Sequence, residues 1–336
     1  MTVTRAQVAA LPKAELHLHI EGTLEPELAF ELSARNRVAL PYNDAAALRR
    51  AYDFSDLGSF LALYYECMAV LRTAEDFADL ASAYLAKATA DGVSRVEMFF
   101  DPQVHLSRGV PLAEVIGGLR KAADRSAEAG GPEVGLIACF LRDRGPKEAA
   151  ETLDALADHA GQLLAVGLDS AEVGYPPADF ADVFAAARGL GLHGVAHAGE
   201  EGPPEYVWQA IDLLGVARVD HGIRSVEDPA LLRRLAADGT ALTVCPLSNV
   251  RLRCVPTIAA HPLPALLDAG VKVTVNSDDP AYFGGYIGDN YLALASGLGL
   301  GLSDLAALAA NSIDACLDWQ GRWTSAWSSR SRDELD

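Results

Sequence analysis

Two histidines separated by one residue, His17 and His19, stand at the end of the apolar run 14–20. If this run is a β-strand, both side chains project from the same face, because strand residues alternate in direction with a period of two. Imidazole is a common ligand of transition metals, so two converging histidines can supply half of a mononuclear metal site. Such a pair also arises by chance, and its interpretation depends on what the rest of the chain brings to it.

Three further apolar runs end in residues that can bind a metal or move a proton. These endings are His197 with Glu200, Asp220 with His221, and Asp278 with Asp279. Three histidines and a carboxylate form the donor set of a catalytic zinc centre, which also needs acid and base groups outside its ligands. We therefore predict one zinc ion held by four ligands and served by two acid/base groups. The predicted ligands are His17, His19, His197 and Asp278, and the acid/base groups are Glu200 and His221.

Each of these groups also has a structural interpretation. His197 could be a hydrogen-bonded core histidine, and His221 could be a packing residue. Asp278 and Asp279 precede Pro280 and could cap a helix, since proline is favoured at the first helical position. Two adjacent carboxylates that end a buried strand nevertheless need a cation or a hydrogen-bond donor. The remaining histidines have no such neighbours and are expected to be structural or surface residues: His105, His159, His193 and His261.

Eight short runs rich in β-branched and aromatic residues alternate with helical segments, a pattern typical of parallel βαβ units. These runs predict a (β/α)8 TIM barrel, in which catalytic groups lie at the carboxyl ends of the strands. An open doubly wound sheet is the alternative, but it is expected to carry a glycine-rich turn after its first strand, and 21–24 is not one. The predicted strands are 14–20, 94–100, 134–141, 163–169, 193–198, 217–222, 241–246 and 271–276.

The first crossover of this barrel is much longer than the others. We predict a helical cap over the barrel mouth within about 24–90, with Phe54, Leu57 and Phe60 either lining the substrate or packing the core of the cap. No linker rich in proline, glycine or serine divides the chain, so we expect a single domain over 1–336. The polar stretch 325–336 is expected to be frayed.

The composition bears on partners and location. The net charge of −19 argues against a nucleic-acid-binding surface, which needs a basic stripe. No apolar run reaches the roughly 18 residues of a membrane span, and 1–7 lacks the apolar segment of a signal peptide. The 5 scattered cysteines indicate reduced thiols. We expect a cytoplasmic protein without nucleic-acid or membrane partners, and we leave open whether it forms a homo-oligomer.

Several motifs, in order along nearly the whole chain, resemble the adenosine/AMP deaminase family of the amidohydrolase superfamily. They are 12–19 (PKAELHLH), 197–200 (HAGE), 220–222 (DHG) and 277–280 (SDDP). Other segments are more similar to the adenine deaminase branch of that family, namely 99–103, 168–172, 197–204, 245–250 and 279–286. One departure is Tyr175, where bacterial relatives often carry histidine. Binuclear relatives need a bridging residue, often a modified lysine, after the fourth strand, and 166–172 contains no lysine, which favours one metal ion.

The resemblance implies hydrolytic deamination of a 6-aminopurine, with adenine and water giving hypoxanthine and ammonia in purine salvage. In that scheme His221 orients the attacking water and accepts or stabilises its proton, Glu200 protonates ring N1 and Asp279 hydrogen-bonds N7. Ser170 and Gly199 are also expected to contact the small-molecule substrate. The alternative substrate is an adenine nucleoside, either adenosine or 6-aminodeoxyfutalosine, because Glu21 stands where a carboxylate that contacts ribose is expected.

Two other classes of protein fit the sequence less well. A non-catalytic barrel that only binds a partner does not explain why the whole ligand set and Glu200 are present. A zinc hydrolase of amides or phosphoesters is disfavoured by the missing ligand for a second metal ion.

Overall fold

The computed structural model describes residues 2–318, in which eight parallel strands form one sheet in the order β1 to β8. Each strand pairs with the next strand along the chain. The predicted (β/α)8 barrel is confirmed, and each predicted strand overlaps an observed one. The prediction for 325–336 lies outside the described residues. The strands are β1 (Lys13–His19), β2 (Val93–Phe100), β3 (Glu133–Leu141), β4 (Ala165–Asp169), β5 (His193–Ala198), β6 (Arg218–His221), β7 (Ala241–Val244) and β8 (Val273–Val275).

The helices connect these strands and cover the outside of the barrel. Among the described helices, none is both long enough and apolar enough to cross a membrane. The α-helices are α1 (Arg5–Ala9), α2 (Pro26–Asn36), α3 (Ala45–Arg50), α4 (Leu57–Cys67), α5 (Ala74–Ala90), α6 (Pro102–Ser107), α7 (Leu112–Glu128), α8 (Gly145–Leu156), α9 (Ala181–Gly189), α10 (Pro204–Gln209), α11 (Pro229–Asp238), α12 (Pro246–Arg251), α13 (Leu263–Asp268), α14 (Pro280–Phe283), α15 (Ile287–Leu298) and α16 (Leu302–Asp314).

The barrel closes between β1 and the residues that follow β8. The N–H of Asp278 donates to the carbonyl of His17 at 3.1 Å, and the N–H of His19 donates to the carbonyl of Asp278 at 3.0 Å. Below this link, the Glu15 carboxylate accepts hydrogen bonds from the N–H and the hydroxyl of Ser277 and, at 2.6 Å, from the hydroxyl of Tyr84. The register of β1 against the end of β8 is therefore fixed by both backbone and side chains.

A buried ion pair crosses the interior of the barrel. One guanidinium nitrogen of Arg218 on β6 lies 2.6 Å from Oε2 of Glu97 on β2, and another donates to the carbonyl of Leu16 on β1 at 3.0 Å. Both charged side chains are at most 1% exposed. Because these contacts join three strands, they hold the lower layer of the interior together.

The long first crossover forms additional helices over the barrel mouth. Helices α2, α3 and α4 lie between β1 and α5. The structure differs from the predicted extent of the cap, because α5 packs against α7 and leads directly into β2, as an ordinary barrel helix does. Aromatic rings join the cap to the loop after β8, with the Phe60 ring 4.6 Å from that of Phe283 and 5.6 Å from that of Tyr282. The single-domain organisation stays a prediction.

We expect Glu97→Gln to lower the free energy of unfolding by about 3–5 kcal/mol, because it leaves the buried Arg218 charge without its counterion. The matched control is Glu27→Gln, since Glu27 pairs with Arg49 at 2.7 Å while both side chains are more than half exposed. Such exposed pairs contribute about 0–1 kcal/mol. Chemical and thermal unfolding followed by circular dichroism measure both effects, and equal losses in the two variants would contradict the structural role of the buried pair.

Candidate metal centre and active site

The carboxyl ends of the barrel strands bring the predicted site residues together. His17 and His19 end β1, His197 lies in β5, His221 ends β6, and Asp278 follows β8. One ligand atom from each of His17, His197, His221 and Asp278 lies within 4.8 Å of the others. Nε2 of His19 is 3.2 Å from Nε2 of His197 and 3.5 Å from Oδ1 of Asp278. All five side chains therefore belong to one buried cluster.

Three residues around this cluster have a left-handed backbone although they carry side chains. They are Ser170 with φ 70°, His221 with φ 60° and Asp278 with φ 65°. A conformation of this kind costs on the order of 1–3 kcal/mol and persists only where the surrounding structure imposes it. Each of the three stands at or just after the carboxyl end of a strand, where the chain turns at the barrel mouth.

Three histidines of the cluster present Nδ1 to a hydrogen-bond acceptor. Nδ1 of His17 lies 2.9 Å from the hydroxyl of Thr243, which donates its proton to Asp220 and therefore accepts from the ring. Nδ1 of His19 faces Oδ2 of Asp169 at 3.6 Å, and Nδ1 of His197 faces Oδ2 of Asp220 at 3.6 Å. These two distances are too long for hydrogen bonds, but the negative charge of each carboxylate favours a proton on the facing Nδ1. An acceptor at Nδ1 keeps the proton there and leaves the lone pair of Nε2 free for a metal.

The buried Nε2 of His17 tests whether the cluster suits a metal ion. It has no hydrogen-bond partner, and the nearest carboxylate oxygen, Oδ1 of Asp278, is 3.3 Å away. A buried lone pair without a donor is costly unless a cation or a proton occupies that position. Three Nε2 atoms and one carboxylate are also the donor types that zinc prefers. The residues present therefore fit a metal ion.

His221 differs from the other three imidazoles. The N–H of Leu263 donates to Nδ1 of His261 at 3.1 Å, so Nε2 of that ring carries the proton and faces Oδ1 of Asn249 at 3.3 Å. This fixes the Asn249 amide with its nitrogen 3.4 Å from Nδ1 of His221 and 3.3 Å from Oε1 of Glu200. Because Nδ1 of His221 faces a donor, its Nε2 carries the proton, and this ring is arranged to donate rather than to bind a metal.

The charges in the cluster also separate these groups. Burial lowers the pKa of His19 to about 4 and that of His221 to about 3, and it lowers the pKa of His197 well below its usual value, so these rings are neutral. Burial would raise the pKa of Asp278, but the neighbouring imidazoles hold it well below its usual range. For His17, burial lowers the pKa, but the nearby Asp278 charge outweighs this effect and raises it. The position between His17 and Asp278 thus favours a positive charge.

Two carboxyl groups beside the cluster have a raised pKa, in contrast to Asp278. Burial, followed by the charges of Asp278 and Glu172, raises the pKa of Glu200 well above its usual value. Burial and the charge of Asp278 do the same to the pKa of Asp279. Asp279 occupies the N-cap position of α14, but its side chain makes no capping hydrogen bond, and its buried Oδ1 has no partner. Asp279 therefore stands at the N-cap position, as the helix-cap interpretation expects, but its carboxyl group is not used as a cap, and burial favours the uncharged form of both acids.

The cluster opens into a cavity of about 40 Å³. Its floor includes His19, His197 and His221, and its walls include Glu200 and Asp279. The cap closes it with Leu57, Phe60, Tyr64 and Tyr65, so two of the three hydrophobic candidates from the sequence line the cavity. Ser170 also lines it and is hydrogen-bonded at 3.1 Å to the Tyr65 hydroxyl.

Both backbone polar groups of Gly199 have partners within the protein. Its N–H donates to Oε1 of Glu172 at 2.6 Å, and its carbonyl accepts from the N–H of Arg224 at 2.9 Å. Gly199 does not line the cavity, and its contact with the substrate stays a prediction. The positive φ of 73° at this position explains the glycine.

The four histidines assigned to structural or surface positions lie outside the metal cluster. His105 is buried in α6 and bonded at 2.8 Å to Glu21, while His159 and His193 pair with neighbouring polar side chains. His261 acts on the site through Asn249, as described above. Sequence reasoning missed the acceptors Asp169 and Thr243 as well as Asn249. Asp169 ends a predicted strand, Thr243 lies inside one, and Asn249 lies in α12, so only Asp169 had a strand end as a signal.

Comparison with known proteins agrees with this arrangement. The sequence profile of the adenosine deaminase family matches residues 12–321. The chain belongs to that family. It is 63% identical over 303 residues to an adenine deaminase of Streptomyces coelicolor, with 90% of this chain and 89% of the relative covered. The crystal structure of an adenine deaminase from Arthrobacter aurescens shares 51% identity, with a TM-score of 0.91 and coverage of 93% of this chain and 95% of the other.

A second solved structure bears on the metal. An amidohydrolase from Burkhoderia ambifaria with bound zinc shares 29% identity and superimposes with a TM-score of 0.89, covering 98% of this chain and 93% of the other. That protein holds zinc in the same barrel fold. The buried donor set of the present chain is compatible with the same ion.

We expect Thr243→Val to weaken metal binding about 10–100-fold, because it removes the acceptor that fixes the His17 tautomer while keeping the shape of the side chain. Competition with a chromophoric chelator measures the zinc affinity. The control is Thr152→Val, whose hydroxyl donates at 2.8 Å to a carbonyl within α8, far from the cluster. Unchanged zinc affinity in the Thr243 variant would show that this hydrogen bond does not organise the site.

Proposed function

We propose that this protein is a zinc-dependent adenine deaminase, which converts adenine and water to hypoxanthine and ammonia in purine salvage. The observation that carries the proposal is the pair of buried carboxyl groups, Glu200 and Asp279, that face a small cavity beside the metal cluster and whose pKa burial raises. Hydrolysis at C6 of a purine needs proton donors at ring nitrogens, since these make C6 more electrophilic. The similarity to proteins named adenine deaminase supports the same reaction.

His17, His19, His197 and Asp278 would hold one zinc ion. When bound, zinc supplies a water whose pKa is lowered to near 7 and can attack at neutral pH. His19 also lies close to two pairs of carboxyl groups that could hold a second ion, Asp278 with Asp279 and Asp101 with Asp169. Burial raises the pKa of one member of each pair, Asp279 and Asp101, well above its usual value. Burial favours the uncharged form of these groups, which is a poorer metal ligand than a carboxylate, and this favours a single ion.

Three residues of this chain would then have separate roles in the proton transfers. Glu200, protonated in the free protein, donates to N1 of adenine and afterwards helps to carry a proton to the departing ammonia. Asp279 donates to N7 through its own proton. His221 presents Nε2–H toward the position of the attacking oxygen, with its ring held by Asn249. This role is narrower than the one expected from the sequence, in which His221 could also accept the proton of the water.

Two features favour the free base over a nucleoside. Side chains of the cap cover the cavity of about 40 Å³, so a nucleoside would have to displace more of the cap than a free base would. Glu21, the candidate ribose contact, does not line the cavity, and its Oε1 accepts hydrogen bonds from His105 at 2.8 Å and from the N–H of Asp101 at 3.1 Å. Cytoplasmic location and homo-oligomer formation stay predictions.

An ultraviolet assay with adenine, adenosine and 6-aminodeoxyfutalosine in parallel tests the substrate. We expect kcat/KM for adenine to exceed both others by at least about 10²-fold, because a nucleoside requires the cap to move away. Equal or higher values for a nucleoside would refute the choice of adenine while leaving the deaminase chemistry intact.

The Glu200→Gln variant tests the proton donor. We expect zinc binding to be retained and kcat to fall by about 10²–10⁴-fold, as is typical when a general acid is removed. The raised pKa of Glu200 means that its active, protonated form is present at lower pH and is lost as pH rises through that pKa. The wild-type kcat/KM should therefore have an alkaline limb that the variant lacks. A variant with wild-type turnover, or with the same alkaline limb, would remove Glu200 from this role.

A further inference from the structure

The segment that carries Glu200 is held by the carboxylate of Glu172, a residue that does not line the cavity. After β5, four consecutive backbone N–H groups turn toward Glu172, which lies in the loop after β4. Gly199 donates to Oε1 at 2.6 Å, and the N–H groups of Glu200, Glu201 and Gly202 donate to Oε2 at 3.1, 2.9 and 2.7 Å. Four successive amides around one anion form a backbone nest, here occupied by a side chain of the same protein.

The nest is closely fitted to Glu172. The side chain is 2% exposed, and a Cβ atom added to Gly202 would lie 2.5 Å from its Oε1. Only glycine therefore fits at 202 while the carboxylate stays in place. On the other side of the segment, Arg224 donates to the carbonyls of Gly199 and Glu201 at 2.9 and 2.6 Å. Hydrogen bonds to Glu172 and Arg224 thus hold both the amides and the carbonyls of the segment 199–202.

The Glu200 side chain itself has only weak restraints. Its carboxyl oxygens lie 3.3 Å from the Asn249 amide nitrogen, 3.8 Å from the Cys254 sulfur and 3.5 Å from Nε2 of His221. None of these contacts is a short hydrogen bond. The direction of the side chain is therefore determined mainly by its backbone, and that backbone is held by Glu172.

We propose that Glu172 is a positioning residue, which aims the Glu200 carboxyl group at the reacting ring by anchoring the amides of 199–202. The inference rests on the proposed function of Glu200 as proton donor. A displacement of about 1 Å in a catalytic group can cost on the order of 10²-fold in rate. Loss of the anchor should therefore lower kcat without removing the groups that bind the substrate or the metal.

The first experiment is Glu172→Gln in the zinc-loaded protein. Gln keeps the shape of the side chain, but its amide nitrogen cannot accept a hydrogen bond, so at least one of the four donors loses its partner. We expect kcat to fall about 10–100-fold, with KM and zinc affinity changed less than about threefold. A folded, zinc-loaded variant with wild-type kcat would overturn the proposal.

A double-variant cycle distinguishes positioning from a general structural effect. If Glu172 acts through Glu200, adding Glu172→Gln to Glu200→Gln should reduce the residual activity by less than about threefold. Multiplication of the two losses would overturn the proposal, because it would mean that Glu172 acts on something else. Wild-type turnover of Glu200→Gln alone would instead refute the proposed function, so the two failures are distinguishable.

Gly202→Ala provides an independent route if Glu172→Gln fails to fold. Its added methyl group displaces the carboxylate without changing any charge, and we expect the same fall in kcat and the same non-additivity. The control is Asp91→Asn, since Asp91 accepts the N–H of Gly288 at 3.0 Å and lies just before β2, at the opposite end of the barrel. This control should lower the melting temperature and leave kcat unchanged, whereas an equal fall in its kcat would overturn the proposal.

Discussion

The backbone of Asp278 is hydrogen-bonded to both His17 and His19, so the last link between β8 and β1 lies within the candidate metal cluster. The hydrogen bonds that close the barrel therefore also fix the positions of three of the predicted metal ligands. His17 and His19 are two residues apart in β1 and both face the metal cluster, although the pairing of β1 with β2 shifts register between Glu15 and Leu18. Asp278 faces them from a left-handed backbone conformation. The close approach also leaves no room beside Gly22, where a Cβ would be 2.0 Å from Oδ1 of Asp279.

The site contains many buried carboxyl groups, and the protein stabilises them in four ways. Glu97 is paired with a buried arginine, and Glu172 is surrounded by backbone amides. Glu200 and Asp279 retain a proton, because burial raises the pKa of each. Asp278 alone remains ionised among imidazoles, where a cation completes the arrangement. The same residue type therefore serves as scaffold, acid or ligand, and its immediate neighbours decide which.

Much of this arrangement was predictable from the sequence, because strand ends in a parallel barrel share one edge. Two features of the sequence were sufficient to predict the ligands: the period of two at His17 and His19, and the polar residues that follow the later apolar runs. Contacts between distant segments were not predictable. Asn249 holds His221 only because His261, 12 residues further along the chain, fixes its amide. The end of the cap within 24–90 was also not predictable, because α5 has the same helical pattern as the cap and only its packing on α7 distinguishes it.

The four clustered histidines show where their functional difference arises. In sequence they are equivalent, since each lies at or near the carboxyl end of a strand, and in space they share one pocket. What separates His221 is that Nδ1 faces an amide nitrogen, whereas His17, His19 and His197 present Nδ1 to oxygen. Because a neutral imidazole has one proton, the partner at one nitrogen determines what the other can do. The division between ligand and proton donor is thus set by Thr243, Asp169, Asp220 and Asn249. For this reason, a motif containing the histidines alone cannot define the chemistry of the site.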